Sequence, residues 1–297
     1  MSREHEVAER SRRLAGEDAR ERLLAGIPVT ERRLQLVGVS TAVLEGGDGP
    51  PIVLLHGPGE FAAVWMRVIP DLVTTHRLVA PDLPGHGASG VADGPLDADR
   101  VFAWLGELIE RTCPSPPALV GHLLGGAIAA RFARDHGDRV SRLVLVDSFG
   151  LGRYRPAPRY ALAMIRFLAR PTERTQDRLF RQCMVDLDGW REQMGDRWKP
   201  LEAYALDRAR TPSVKAAVRI LMRRLVAPIP PADLARITVP TTLIWGRHDL
   251  QVRLPVAEAA SARYGWPLHV IENAADDPAA EQPGAFLEAL RPALDGS

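Results

Sequence analysis

The sequence predicts an α/β fold, a mostly parallel sheet flanked by helices with a helical insertion, and three observations predict it. Short continuous apolar runs such as "IVLLHG", "PALVGH" and "VSRLVLVDS" alternate with segments of helical spacing, the pattern of strands buried on both faces and joined by crossover helices. One run passes through "LVGHLLGG" (119–126) into the small-residue helix "AIAARFA", a strand-to-helix turn flanked by glycines. The alternation stops at about Gly150, continues as helical patterns without a convincing strand to about Ala232, and resumes at "TTLIWGRHD". With 297 residues and 46% hydrophobic content, the chain can bury one large core.

Taken in order, residues 1–30 form an N-terminal helical arm. Its first 26 residues alternate acids and arginines with few apolar positions (Val7, Leu14, Leu23, Leu24), which reads as a solvated surface helix or, more sharply, as a dimerisation or lid segment. Residues 31–150 form the first part of the core. Here "RLQLVGVSTAVLEGGDGPP" gives two short strands ending at a Gly/Asp/Pro turn, and "IVLLHG" gives a buried strand. "FAAVWMRVIPDL" has helical spacing, "HRLVAPDLPGHGAS" is a strand leaving through a Pro/Gly loop, and "VFAWLGELIER" is an amphipathic helix. Residues 151–232 are the insertion, with helical patterns in "YALAMIRFLARP", "TQDRLFRQCMVDL", "LEAYALDRAR" and "VKAAVRILMRRLV". Residues 233–297 complete the core with "TTLIWG", a helix from Pro255 to Tyr264, the strand "PLHVIE" and the closing helix "GAFLEALRPAL".

Net charge is +1, which gives no reason to expect nucleic acid or a membrane surface as partner. The charge is unevenly spread, because residues 151–232 hold 17 Lys and Arg against 8 Asp and Glu, so the insertion carries +9 and the remainder −8. No apolar run approaches the roughly 18 residues of a membrane helix, and the N-terminus lacks the apolar stretch of a signal peptide, so a cytoplasmic protein is expected. Cys113 and Cys183 lack metal-ligand spacing and read as reduced thiols. No cofactor or metal is expected. The expected partner is a small molecule, with a homodimer through the arm or the insertion as the further option.

The turn at "LVGHLLGG" has the G-x-S-x-G frame of a nucleophile elbow, in which a strained turn lifts one side chain to the end of the sheet. That position is Leu123, and a hydrocarbon side chain neither attacks a carbonyl nor donates a proton. The stretches "LLHGPGEFAAVW", "APDLPGHGAS", "LVGHLLGG", "LVLVDS", "LIWGRHD" and "DDPAAEQPGAF", in this order and spacing, make the chain resemble a capped α/β-hydrolase-fold protein of the epoxide hydrolase, carbon–carbon bond hydrolase and esterase branch.

The resemblance implies a triad with two members replaced. The nucleophile's place is Leu123, the acid's place is Asp249, and the histidine's place falls on Asp276, or on Asp277 if the loop is shifted by one. It also implies an oxyanion hole from the backbone N–H of Leu124 and of the residue after "HG". That residue is Pro58, which has no N–H, so Gly59 or Glu60 would have to substitute. The expected catalytic residues are therefore Asp249, Asp276 and Glu60, acting as general acid and base. The expected substrate-binding residues are Leu123, Leu124, Pro58, Gly59, His56, Trp65 and His248. His56, His86 and His122 weigh toward scaffold roles, and His248 is adjacent to Asp249 without thereby being its partner.

Two functions follow from this reading. One is an enzyme without a covalent intermediate, acting on a small, partly apolar, anionic molecule by hydrolase-, lyase- or cyclase-type acid–base chemistry. The other is a catalytically silent homologue that binds a ligand or protein. Convergence of Asp249 and Asp276 on one buried site favours the first; exposure of both, or capping by arginines, favours the second.

Overall fold

The computed structural model describes residues 16–92 and 94–295. The first half of the expected arm, residues 1–15, lies outside them. Residues 16–24 are helical, but they are not the solvated helix the sequence suggests. Leu23 and Ile27 enter the core, and Arg20 is buried among Glu31, Asp82 and the Tyr204 hydroxyl.

Among the described residues the sheet has nine strands: β1 (Thr30–Leu36), β2 (Val39–Gly46), β3 (Pro51–Leu55), β4 (Arg77–Pro81), β5 (Gly90–Val91), β6 (Ala118–His122), β7 (Arg142–Val146), β8 (Thr241–Gly246) and β9 (Leu268–Ile271). Their spatial order is β1-β2-β4-β3-β6-β7-β8-β9, with β5 on β2. All pairings from β4 to β9 along this path are parallel, whereas β1, β4 and β5 meet their neighbour β2 antiparallel. Alternation along the central strands divides the core in two. Val53, Leu55, Val79 and Leu119 face one cluster, and Ile52, Leu54, Leu78 and Val120 face the other. The crossover helices α1 (Ala98–Thr112) and α2 (Leu124–Asp135) pack on the first of these faces. Asp97 caps α1 by accepting from the Arg100 N–H.

The β1–β2 hairpin turns on Val37 and Gly38, both at positive φ (47° and 71°), the two-residue geometry that matches strand twist. Glycine suits this conformation; valine does not, because a β-branched side chain crowds its own backbone there. The turn is held from outside, since Glu107 accepts from the Val37 N–H and Arg100 donates to the carbonyls of Val37 and Gly38. Val37 is 39% exposed, so little packing is lost on replacement. Val37→Asn is expected to raise stability by about 1 kcal/mol in urea unfolding, by relieving the left-handed strain.

Residues 151–232 contain no strand and five helices of eight or more residues: α3 (Pro158–Ala169), α4 (Glu173–Cys183), α5 (Leu187–Met194), α6 (Trp198–Arg210) and α7 (Pro212–Leu225). Trp190, Trp198, Leu201 and Tyr204 extend one core cluster, while Leu221 and Leu225 extend the other. The chain then returns through β8, helix α8 (Pro255–Tyr264), β9 and helix α9 (Pro283–Asp295). No helix among the described residues is long and apolar enough to cross a membrane.

Candidate active site

Strand β6 ends at His122, and the next residue, Leu123, takes φ 46° and ψ −105° before α2 begins. This conformation costs an L-residue about 1–3 kcal/mol and persists because the surroundings enforce it. The Leu123 N–H donates to the Val146 carbonyl (3.0 Å), and its own carbonyl accepts from Phe149 (3.2 Å) and Ala127 (3.1 Å). A Cβ on Gly125 would collide with the Leu55 backbone, and one on Gly126 with Ser148, so the glycines that frame the turn are required by contact. The Leu123 side chain is buried in the core cluster and carries no heteroatom.

Donors near the elbow are few. The Leu124 N–H lies in the first turn of α2, where backbone donors have no intrahelical acceptor. In the facing loop Pro58 has no N–H, and the Gly57 N–H is taken by Glu60 Oε2 at 2.6 Å. The Glu60 N–H turns back to the Gly57 carbonyl (3.4 Å), so Glu60 does not substitute as a donor. Gly59 is exposed at the tip of the loop.

His122 organises the polar side of the site. Its Nε2 lies 2.5 Å from the Asp276 carbonyl oxygen and its Nδ1 3.2 Å from Glu60 Oε2. Both partners are acceptors, so both ring nitrogens must donate, and the ring is an imidazolium. Burial opposes that charge, but the Glu60 carboxylate, joined by Asp277 and Asp147, holds the imidazole well above its ordinary range. For Glu60, burial alone would favour the neutral acid; His122, His56 and the Gly57 N–H outweigh it and hold the carboxyl below its usual range. Glu60, expected from sequence as a general acid or base, is thus the ionised counter-ion of His122.

Around this ion pair lies a set of carboxyls driven the other way. Asp147, fully buried at the end of β7 with φ 44°, accepts from the Gly246 N–H at 3.0 Å. Burial and then the charge of Asp249 push it well above the carboxylate range. Burial lifts Asp249 to about 6 against the N–H groups of Gln251 (2.6 Å) and Val252 (3.0 Å). Gln251 continues the chain, its backbone N–H on Asp249 and its Nε2 donating to Asp276 Oδ2 at 3.0 Å. Asp276 is pushed well above its usual range by burial and then by Asp249, and its backbone N–H donates to the Cys183 carbonyl at 3.2 Å. Burial likewise raises Asp277 to about 6 and Glu281 to about 7.

The structure therefore gathers Leu123, Asp249, Asp276 and Glu60 about the elbow, with Asp249 linked to Asp276 through Gln251. Three expected pocket residues lie elsewhere. His56 is fully buried scaffold, its Nδ1 donating to the Gly57 carbonyl (2.8 Å) while Nε2 accepts from the Leu83 N–H (2.9 Å), an arrangement that ties two loops together. Trp65 is packed in the core between the rings of His122 and Phe286. His248 is exposed in the turn that follows β8, while Asp249 is buried. Asp147, Gln251 and Cys183 did not emerge from the sequence as site residues, and His122 read as scaffold. The one available signal was the polar residue closing the apolar run "LVLVD" at a strand end.

The sequence pattern of the alpha/beta hydrolase family matches residues 52–289. The chain is 28% identical over 260 residues to a pimeloyl-[acyl-carrier protein] methyl ester esterase of Aeromonas hydrophila, across 85% of this chain and 98% of that one. Its fold is similar to that of a 2-hydroxy-6-oxo-6-phenylhexa-2,4-dienoate hydrolase from Rhodococcus sp. strain RHA1 (TM-score 0.75, 25% identity, 89% and 99% of the two chains). It also superposes on a bacterial membrane phospholipase A (TM-score 0.80, 24% identity, 96% and 92%). The chain belongs to the alpha/beta hydrolase family.

Proposed function

We propose that this protein is an α/β-hydrolase-fold enzyme that works without a covalent intermediate, carrying out acid–base chemistry on a small, partly apolar molecule over the elbow. In the family frame the positions of the serine and histidine are Leu123 and Asp276, and Asp249 keeps the place of the acid. The observation that carries the reading is the buried line Asp276, Gln251, Asp249, with the buried Asp147 beside it, which no arginine reaches by a hydrogen bond or ion pair among the described residues. Asp276, held well above the carboxylate range by burial, acts as the acid; Asp249, raised to about 6 with Asp147 beside it, acts as the base. Leu123 is the apolar floor. Hydration, elimination, cyclisation and direct hydrolysis by water fit these roles.

The basic insertion favours an anionic substrate, whereas the carboxyls of the site favour a neutral one. Among the described residues no arginine pairs with Asp147, Asp249 or Asp276, and Arg181 and Arg191 pair with Asp177 and Asp188, and Arg208 with Asp207. The relatives, a methyl ester esterase and a hydrolase of a dienoic acid, support esters and carbonyl compounds as the substrate classes.

The test is intact-mass analysis after a fluorophosphonate probe, together with turnover of a panel of neutral esters, lactones, enol ethers and epoxides. Turnover without an adduct is expected, with Asp276→Asn slower by roughly 10²-fold. A stoichiometric adduct, or turnover indifferent to Asp276→Asn, would overturn the reading. The second reading, a silent homologue that holds a ligand, draws on the cover over the elbow, where Leu123 is 2% exposed and Cys183 of the insertion seals Asp276. Absence of turnover with a small molecule retained in native mass spectra would select it.

A further inference from the structure

Helix α3 presents three faces. Tyr160 and Phe167 point inward and are buried. On the outer side Leu162, Ile165 and Leu168 are 48%, 64% and 53% exposed. At 100° per residue they form a stripe about 120° wide, with the exposed Pro158 and Ala169 inside it. Arg159 and Arg166 run along one edge of that stripe, and Arg153, Arg155 and Arg170 stand at its two ends, all exposed. Among the described residues none of these five arginines has a carboxylate within ion-pair distance, in contrast to Arg181, Arg191 and Arg208 of the same insertion. Unpaired cations beside an exposed aliphatic stripe on one helix are the two halves of an interfacial anchor.

We infer that the outer face of α3 docks the protein onto an anionic lipid bilayer, with Leu162, Ile165 and Leu168 in the acyl boundary and the arginines among the headgroup phosphates. Charge complementarity chooses this occupant. A second copy seated on the same face by a twofold axis would set the five arginines against themselves, and three half-exposed aliphatic side chains fall far short of the roughly 800 Å² per partner that a stable dimer buries. Nucleic acid would satisfy the arginines but leave the leucines and isoleucine in water, since the face offers no aromatic ring for a base to stack on. The chain's net charge of +1 hides this surface because the remainder of the chain carries the opposite sign. A peripheral helix also needs no membrane-crossing segment.

Flotation of the full chain with liposomes tests the inference, using phosphatidylcholine alone and equal parts of phosphatidylcholine and phosphatidylglycerol, at about 0.05 M and about 0.5 M salt. Binding to the anionic vesicles only, weakened by salt, is expected. Each arginine contributes about fivefold to partition, so Arg159→Glu with Arg166→Glu lowers binding by at least roughly 25-fold. Ile165→Ser lowers it several-fold at both salt concentrations, because its contribution is not electrostatic. Circular dichroism verifies that these surface variants remain folded. Equal binding to both vesicle types, or undiminished binding by the charge-reversed variant, overturns the inference. So does a dimer in sedimentation velocity that Ile165→Ser dissolves, which would assign the stripe to a second copy. Binding of duplex DNA as tight as that of anionic vesicles and indifferent to Ile165→Ser would assign the face to polyanions and overturn it equally.

Discussion

Replacing Arg20 with methionine is expected to lower stability by about 3–5 kcal/mol in urea unfolding, the cost of removing one partner from a buried ion pair. Arg20 lies 3.0 Å from Asp82 Oδ2 and 2.8 Å from Glu31 Oε2, and its Nη1 donates to the Tyr204 hydroxyl at 3.2 Å. Asp82 has no exposure to water, and its other contacts are the backbone N–H groups of Ala62 (2.6 Å) and Ala88 (2.7 Å). Methionine keeps most of the arginine stem's volume and leaves the Asp82 charge stranded. The loss should be partly reversed by adding Asp82→Asn, which removes that charge while keeping an acceptor for a backbone donor. A double-mutant cycle with the two losses simply adding would show that the pair is uncoupled.

The second large effect is an inverted dependence of stability on pH. Asp249 and Asp277 are raised to about 6 and Glu281 to about 7, with Asp147 and Asp276 raised further, all chiefly by burial. A carboxyl whose folded pKa exceeds its unfolded value binds more protons when folded. Its stabilisation is complete below about pH 4 and is lost as pH rises through 6 to 7. Asp249 alone, moved from 3.8 to about 6, contributes of the order of 3 kcal/mol to that loss. His122, raised as well, adds its own loss at higher pH, whereas Glu60, held low, acts in the opposite sense only below about pH 4.5. Urea midpoints should therefore fall from pH 5 to pH 8. Asp276→Asn, an uncharged mimic of the protonated acid, should match the parent at pH 5 and exceed it at pH 8. A midpoint that rises or stays level across this range would show that the carboxyls ionise freely.

How far the sequence reveals this molecule depends on what kind of constraint each residue answers. The glycines of the elbow were legible because backbone collisions leave no alternative at Gly121 and Gly125. The mostly parallel sheet followed from continuous apolar runs alternating with helical spacing. Asp249 and Asp276 were legible as positions, being anchored to the ends of β8 and of the loop after β9. Their partners were not, because Asp147 reaches Gly246 across 99 residues and His122 reaches Asp276 across 154. Composition along the chain carries no signal for such pairings. Arg20 illustrates the opposite failure: its charge made the first helix look solvated, when that charge is what the interior receives.

The helix at residues 16–24 also imposes an order on biosynthesis. Arg20 leaves the ribosome early, whereas Tyr204 follows 184 residues later. At typical rates of about 5–20 residues per second this is a wait of roughly 10–40 s. During that interval the core strands up to β7 can pair, and Asp82 is available, but the surface that finally covers the arginine has not been made. This helix, translated before the sheet, is thus among the last elements to reach its full set of contacts, and the nascent chain carries an open seam beside it until the insertion arrives to close it.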